Sequence, residues 1–85
     1  MPNRYLARVY VRLKPGYSDP EGETTARALR GLGYGVEDVR VSKVYEILFE
    51  AEDRSEAGEL VEEMCKRLLT NPTKDDYTYE LREME

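Results

Sequence analysis

Eighty-five residues with 40% hydrophobic side chains and a net charge of −5 suit one small globular domain, 1–85, and not two. A chain this short buries only about 60–65% of the surface its unfolded form exposes, so a second copy would relieve a shortage of core. The acidic balance, with a sequence pI near 4.8, excludes a general nucleic-acid binder, which needs a basic stripe to displace counterions from phosphates.

There is no histidine and one cysteine, Cys65. That removes an internal disulfide, the commonest general base, the Ser-His and Cys-His nucleophile pairs and the commonest zinc ligand. Cys65 alone reads as a small buried hydrophobe on a helix. No stretch approaches 18 consecutive apolar residues and the opening Met-Pro-Asn-Arg-Tyr is not a signal sequence, so a soluble cytoplasmic protein with no membrane partner is expected. Charged residues make up 36% of the chain and Gln is absent, a composition shared with thermophile proteins.

In residues 5–13 the apolar side chains fall on alternate positions. Tyr5, Ala7, Val9, Val11 and Leu13 share one face; Leu6, Arg8, Tyr10 and Arg12 share the other. Period two predicts a half-buried strand. Lys14-Pro15-Gly16-Tyr17 fits a type II turn, with proline fixing φ and glycine accepting a positive one. Asp19 followed by Pro20 reads as a helix cap and first helical residue. Ser18 with Glu21 offers a competing capping box one residue earlier.

The helix that follows carries Thr25, Ala28, Leu29 and Leu32 as a narrow apolar stripe, and Gly33 is its expected left-handed cap. The glycine-rich run 31–35 follows this helix rather than preceding one, so it does not form a phosphate cradle. Residues 36–42 and 44–51 both read as strands. The link at Ser42-Lys43 is too short for a crossover helix, which leaves an antiparallel hairpin, the preferred reading, or one long bent strand.

Asp53 and Glu56 open a second helix in capping-box spacing. Ala57, Leu60, Val61, Met64 and Leu68 form its stripe, and Pro72 stops it at Asn71. Tyr77, Tyr79 and Leu81 alternate with Thr78, Glu80 and Arg82 in a last strand. The order βαββαβ predicts an α+β sandwich: one antiparallel sheet, both helices on one face, related to the ferredoxin-like plan. An RNA-binding sheet face built from Tyr10, Tyr45 and Phe49 is disfavoured by the charge, and a metal carrier would need Cys-x-x-Cys, which is absent. An open sheet face and edge strands remain as surfaces for other proteins.

Three blocks then carry a resemblance. Val9-x-Val11-x-Leu13-Lys14-Pro15-Gly16-x-x-Asp19-Pro20-x-Gly22 runs on to Ala28-Leu29-x-x-Leu32-Gly33-Tyr34. Val39-Arg40-x-x-Lys43 and Lys66-x-Leu68-Leu69-x-Asn71-Pro72 follow at the expected distances. Together they resemble the PurS family, the small subunit of phosphoribosylformylglycinamidine synthase in purine biosynthesis, over nearly the whole chain.

The resemblance implies an assembly subunit with no catalytic residues and no cofactor of its own. In such an enzyme a synthetase subunit uses ATP and Mg, a glutaminase subunit releases ammonia, and the small subunit, a homodimer or tetramer, bridges them. The motif positions Lys14, Asp19, Arg40, Lys43 and Asn71 become candidate partner contacts, each with a local structural role as the alternative. One departure is Ser42, where the family commonly has Gly, which favours an ordinary turn or a continuous bent strand. The rival reading is a regulatory module similar to ACT domains, binding an amino acid at the first strand-to-helix loop.

Overall fold

The computed structural model describes residues 2–84. The central strand β1 (Asn3–Leu13) lies between β2 (Lys43–Ala51) and β3 (Asp75–Met84), antiparallel to both, in the order β2-β1-β3. Helix α1 (Pro20–Gly31) joins β1 to β2, and α2 (Arg54–Met64) leads to β3. The α+β class and antiparallel sheet are those expected.

The core lies where β1 meets α2. Ala7, Val9 and Val11 pack with Val61 and Cys65, flanked by Tyr45, Ile47, Tyr77 and Tyr79, while Tyr5, Ala51 and Ala57 form an adjoining cluster. Period two puts these strand residues on one face. The opposite face is bare of helices. There Arg8 stands between Glu46 and Glu80, donating from Nε to Glu46 at 2.9 Å, and the Tyr10 hydroxyl donates to Glu80 at 3.1 Å. Tyr10 is thus separated from Tyr45 and Phe49, which face the helix side, so no aromatic platform for bases exists.

Both helix starts follow the cap chemistry. Asp19 accepts from the Gly22 amide with Pro20 at the first helical position, and the Ser18 alternative does not form. Asp53 accepts from Glu56 N, and the Glu56 carboxylate reaches back to the Glu52 amide. Gly33, at φ +96, ends α1, and Gly16, at φ +92, makes the turn after β1.

Three expectations are corrected. Residues 36–42 form no strand and no hairpin with β2. A two-residue hairpin turn wants positive φ, and no non-glycine residue adopts it here; the chain passes from Ser42 straight into β2. We call residues 36–42 the arm. Second, α1 does not cover the sheet: it makes no extended contact with any strand. The 55 Å long axis is what β1 and α1 give end to end, about 36 and 18 Å. The buried residues of α1 are Gly22, against the arm, and Ala26, and the expected stripe is largely uncovered, with Leu32 75% exposed. Third, the end of the second helix widens into a π-helical turn, Cys65–Leu69. One extra residue per turn shifts the apolar phase. Leu68 therefore faces solvent while Cys65 is fully buried and Leu69 packs on the core.

Among the described residues, two polar contacts tie α2 to β3, one of them Arg54 donating to the Leu81 carbonyl at 2.8 Å. The Tyr77 hydroxyl donates to Glu62, and that bond, with burial, pushes the phenol up to about 12. A raised folded pKa gives stability that is complete below the ordinary value of 10 and is lost as pH rises through 12. In an absorbance titration, Tyr77→Phe should remove an ionisation step near pH 12. An unchanged titration would place the contact outside the solution structure.

Candidate partner-contact surface

The five motif residues, scattered over 58 positions from Lys14 to Asn71, converge on one end of the molecule. Here β1 finishes, β2 and β3 begin, and the chain leaves the π-helical turn. They divide into two groups with different chemistry.

Lys14 and Asn71 build a corner. The Lys14 amide donates to Lys74 O at 2.7 Å, and its ammonium lies 3.7 Å from Asp76. The Asn71 side-chain oxygen accepts from the amides of Thr73 and Lys74, and its backbone N donates to Asp75 at 2.8 Å. These bonds are those of a side chain mimicking a backbone turn. Asn71 therefore shapes the entry to β3.

Asp19 locks α1 to the arm. One carboxylate oxygen accepts from Gly22 N at 2.9 Å and the other from Val41 N at 2.7 Å, in a side chain left 7% exposed. Those two amides, Val41 first, and the nearby Arg40 guanidinium hold the carboxyl below its ordinary range, against the opposing effect of burial. At the other end of the arm, Arg30 donates to the carbonyls of Val36 and Glu37 at 2.8 and 2.7 Å. Between them, a Cβ on Gly22 would overlap the Val39 carbonyl. The glycine lets the helix backbone approach the arm.

Arg40 and Lys43, by contrast, are exposed, and their side chains make no hydrogen bond or ion pair among the described residues. Arg40 lines an open cleft of about 560 Å³ between the arm and the sheet end, with Arg12, Asp38, Ser42 and Asp76. Four charged side chains of mixed sign and the Pro15-Gly16 turn make this a surface for complementary charges rather than an enclosed ligand pocket. Sequence reasoning missed Asp38 and Asp76 as members of this surface; the only signal for either is an acidic neighbour, Glu37 and Asp75. Arg12 was visible as part of the Arg-bearing face of the first strand.

The family model described as phosphoribosylformylglycinamidine (FGAM) synthase, PurS, matches residues 6–83. The chain belongs to the PurS family. Curated PurS subunits of the same synthase are similar throughout. The Methanocaldococcus jannaschii protein is 43% identical over 95% of this chain and 99% of its own length; that of Archaeoglobus fulgidus is 47% identical over 92% and 99%. Among solved structures, Thermus thermophilus PurS superposes with a TM-score of 0.86 at 43% identity, covering 96% of this chain and 99% of that one. The structure of PurLQS from Thermotoga maritima contains a chain matched at TM-score 0.81 and 35% identity over 99% of this chain and all of that one.

Membership of the PurS family displaces the ACT-like reading, and the geometry agrees. Both oxygens of Asp19, the one carboxylate at the strand-to-helix loop, already accept from backbone amides, so it is not free to receive the ammonium group of an amino acid. Among the described residues no cluster of metal-ligating side chains occurs, and no helix is long and apolar enough to cross a membrane.

Proposed function

We propose that this chain is the non-catalytic PurS subunit of phosphoribosylformylglycinamidine synthase. The enzyme converts formylglycinamide ribonucleotide to the amidine with ATP and glutamine-derived ammonia in the cytoplasm. The chain bridges the glutaminase and synthetase subunits as a homo-oligomer and supports ammonia transfer between them. ATP and Mg belong to the synthetase subunit. The observation that carries this reading is full-length similarity to a chain of PurLQS. It is supported by a motif cluster that holds a turn, a cap and two unengaged cations but no base or nucleophile. Arg40 and Lys43 are the contact residues, because neither side chain has a hydrogen bond or ion pair among the described residues, while Lys14, Asp19 and Asn71 shape the surface that presents them.

The double variant Arg40→Gln, Lys43→Gln tests it. Neither side chain is buried or bonded, so Tm is expected to stay within a few degrees of wild type. Co-elution with the glutaminase and synthetase subunits, with ATP and glutamine present, is expected to weaken about tenfold or more. Glutamine-dependent turnover should fall while turnover on added ammonia is retained. Intact assembly and glutamine-dependent turnover would remove Arg40 and Lys43 from the contact.

A further inference from the structure

The helix-free face of β1 carries an arginine at every fourth place, Arg4, Arg8 and Arg12. Arg8 has an acid on each side, Glu46 across β2 and Glu80 across β3, and its guanidinium lies 2.9 Å from the first. Opposite charges directly across two strands attract, so Arg8 is neutralised within its own chain. Arg12 is not. Across β3 it faces Asp76, which already has the Lys14 ammonium at 3.7 Å. Across β2 the ladder stops at the pair Val11 and Lys43. The next place in that register falls to Ser42, outside the strand and uncharged. The Arg12 side chain is exposed, with no hydrogen bond or ion pair among the described residues.

That unmatched place lies in a trough. The cleft of about 560 Å³ lined by Arg40 reaches Arg12, Ser42 and Asp76, and the same three residues line an adjoining recess of about 540 Å³ that opens onto the sheet face beside Tyr10 and Thr78. Of the two acids in the trough, Asp76 is held by Lys14, and only Asp38 has no partner among the described residues. Arg12 and Arg40 are both unengaged, and Lys43 follows Ser42 at the rim. In a chain of net charge −5, this trough is short of negative charge. A guanidinium is best matched by a carboxylate that takes two of its N–H groups at once.

We propose that the trough seats an acidic segment of the glutaminase or synthetase subunit. One carboxylate of that segment pairs with Arg12, supplying the acid that β2 does not, and a second is held by Arg40. This names the chemistry of the contact proposed above and rests on that reading. The trough is open along its length, which suits a stretch of chain better than a small molecule enclosed on most sides. A second copy of this chain is a poor occupant, because a two-fold pair centred here sets the same patch against itself, Arg12 and Arg40 against Arg12 and Arg40.

Arg12→Gln tests this, with Arg8→Gln as the control on the same face. Both side chains are exposed, so both variants should melt within a few degrees of wild type. Arg12→Gln should weaken co-elution with the two subunits about tenfold, by a margin that narrows as salt is raised. Arg8→Gln should leave co-elution unchanged. Arg12→Lys should recover only part of the loss, because an ammonium lacks the two-pronged fork. Wild-type assembly by Arg12→Gln, or an equal loss in Arg8→Gln, would overturn the proposal. Light scattering on the chain alone should give the same mass for wild type and Arg12→Gln; a changed mass would assign the trough to a second copy and overturn it as well. The variant Arg40→Gln, Lys43→Gln keeps the two readings apart. If it assembles poorly while Arg12→Gln assembles normally, the contact stands and the acidic segment falls; if both assemble normally, both readings fall.

Discussion

Gly22→Ala should lower Tm by about 10 °C or more, corresponding to a loss of about 2 kcal/mol in a domain of this size. The sign is the informative part. In an open helix alanine is favoured over glycine by about 1 kcal/mol. At Gly22, however, the new Cβ meets the Val39 carbonyl, a backbone atom, with the Asp19 carboxylate also close at 2.9 Å. Neither neighbour is the loose end of a long side chain. The arm must lift, and with it the Val41 amide leaves Asp19 and the Arg30 bonds to Val36 and Glu37 are strained.

Gly31→Ala is the internal control, because a Cβ there meets nothing within 4 Å and its φ is not left-handed. It should melt within a few degrees of wild type. Thermal unfolding followed by circular dichroism decides. If Gly22→Ala is as stable as Gly31→Ala, the arm is not seated against α1.

The two glycines show what was legible in sequence and what was not. Local chemistry reads well: the alternation of residues 5–13, the Asp19 and Asp53 caps, and the Gly16 turn depend on neighbours a few residues away, and each appears as expected. What fails is local propensity overruled by chain geometry. Residues 36–42 look like a strand, yet a strand needs a partner, and their own chain supplies only α1. The stripe Thr25, Ala28, Leu29 and Leu32 is a valid amphipathic pattern, but periodicity does not reveal whose surface covers it. The π-helical turn was invisible because Leu68 keeps α-helical spacing from Val61 and Met64; only the core shows that Cys65 and Leu69 take the inward places. For the candidate surface, motif spacing named five residues but not their division into a corner, a lock and two free cations. That division depends on Lys74, Val41 and Asp76, which meet the motif residues through the fold.

Asp19→Asn should lower Tm by about 8 °C or more at neutral pH, and the difference should vanish in acid. Asp19 accepts two backbone amides, Val41 and Gly22, on its two oxygens. Asparagine has one acceptor and one donor, so one amide would confront an NH₂ group instead of a carboxylate oxygen. The same two bonds, with Arg40, lower the Asp19 carboxyl below its ordinary 3.8 in the folded chain. A group whose folded pKa is depressed gives stability that is complete above the unfolded value and is lost as pH falls through the folded one. Wild type and Asp19→Asn should therefore be well separated at neutral pH and above, and should converge as pH falls through the lowered pKa that Asp19 has in the folded chain. Melting both proteins across this range tests the assignment. A constant difference at all pH values would mean that charge on Asp19 is not what holds the arm. Since the arm carries Arg40 into Lys43, Asp19→Asn should also weaken assembly with the other two subunits at neutral pH, although Asp19 itself is buried beneath the arm. That loss should exceed the effect of Asn71→Ala, whose bonds lie in the β3 corner and leave the arm in place.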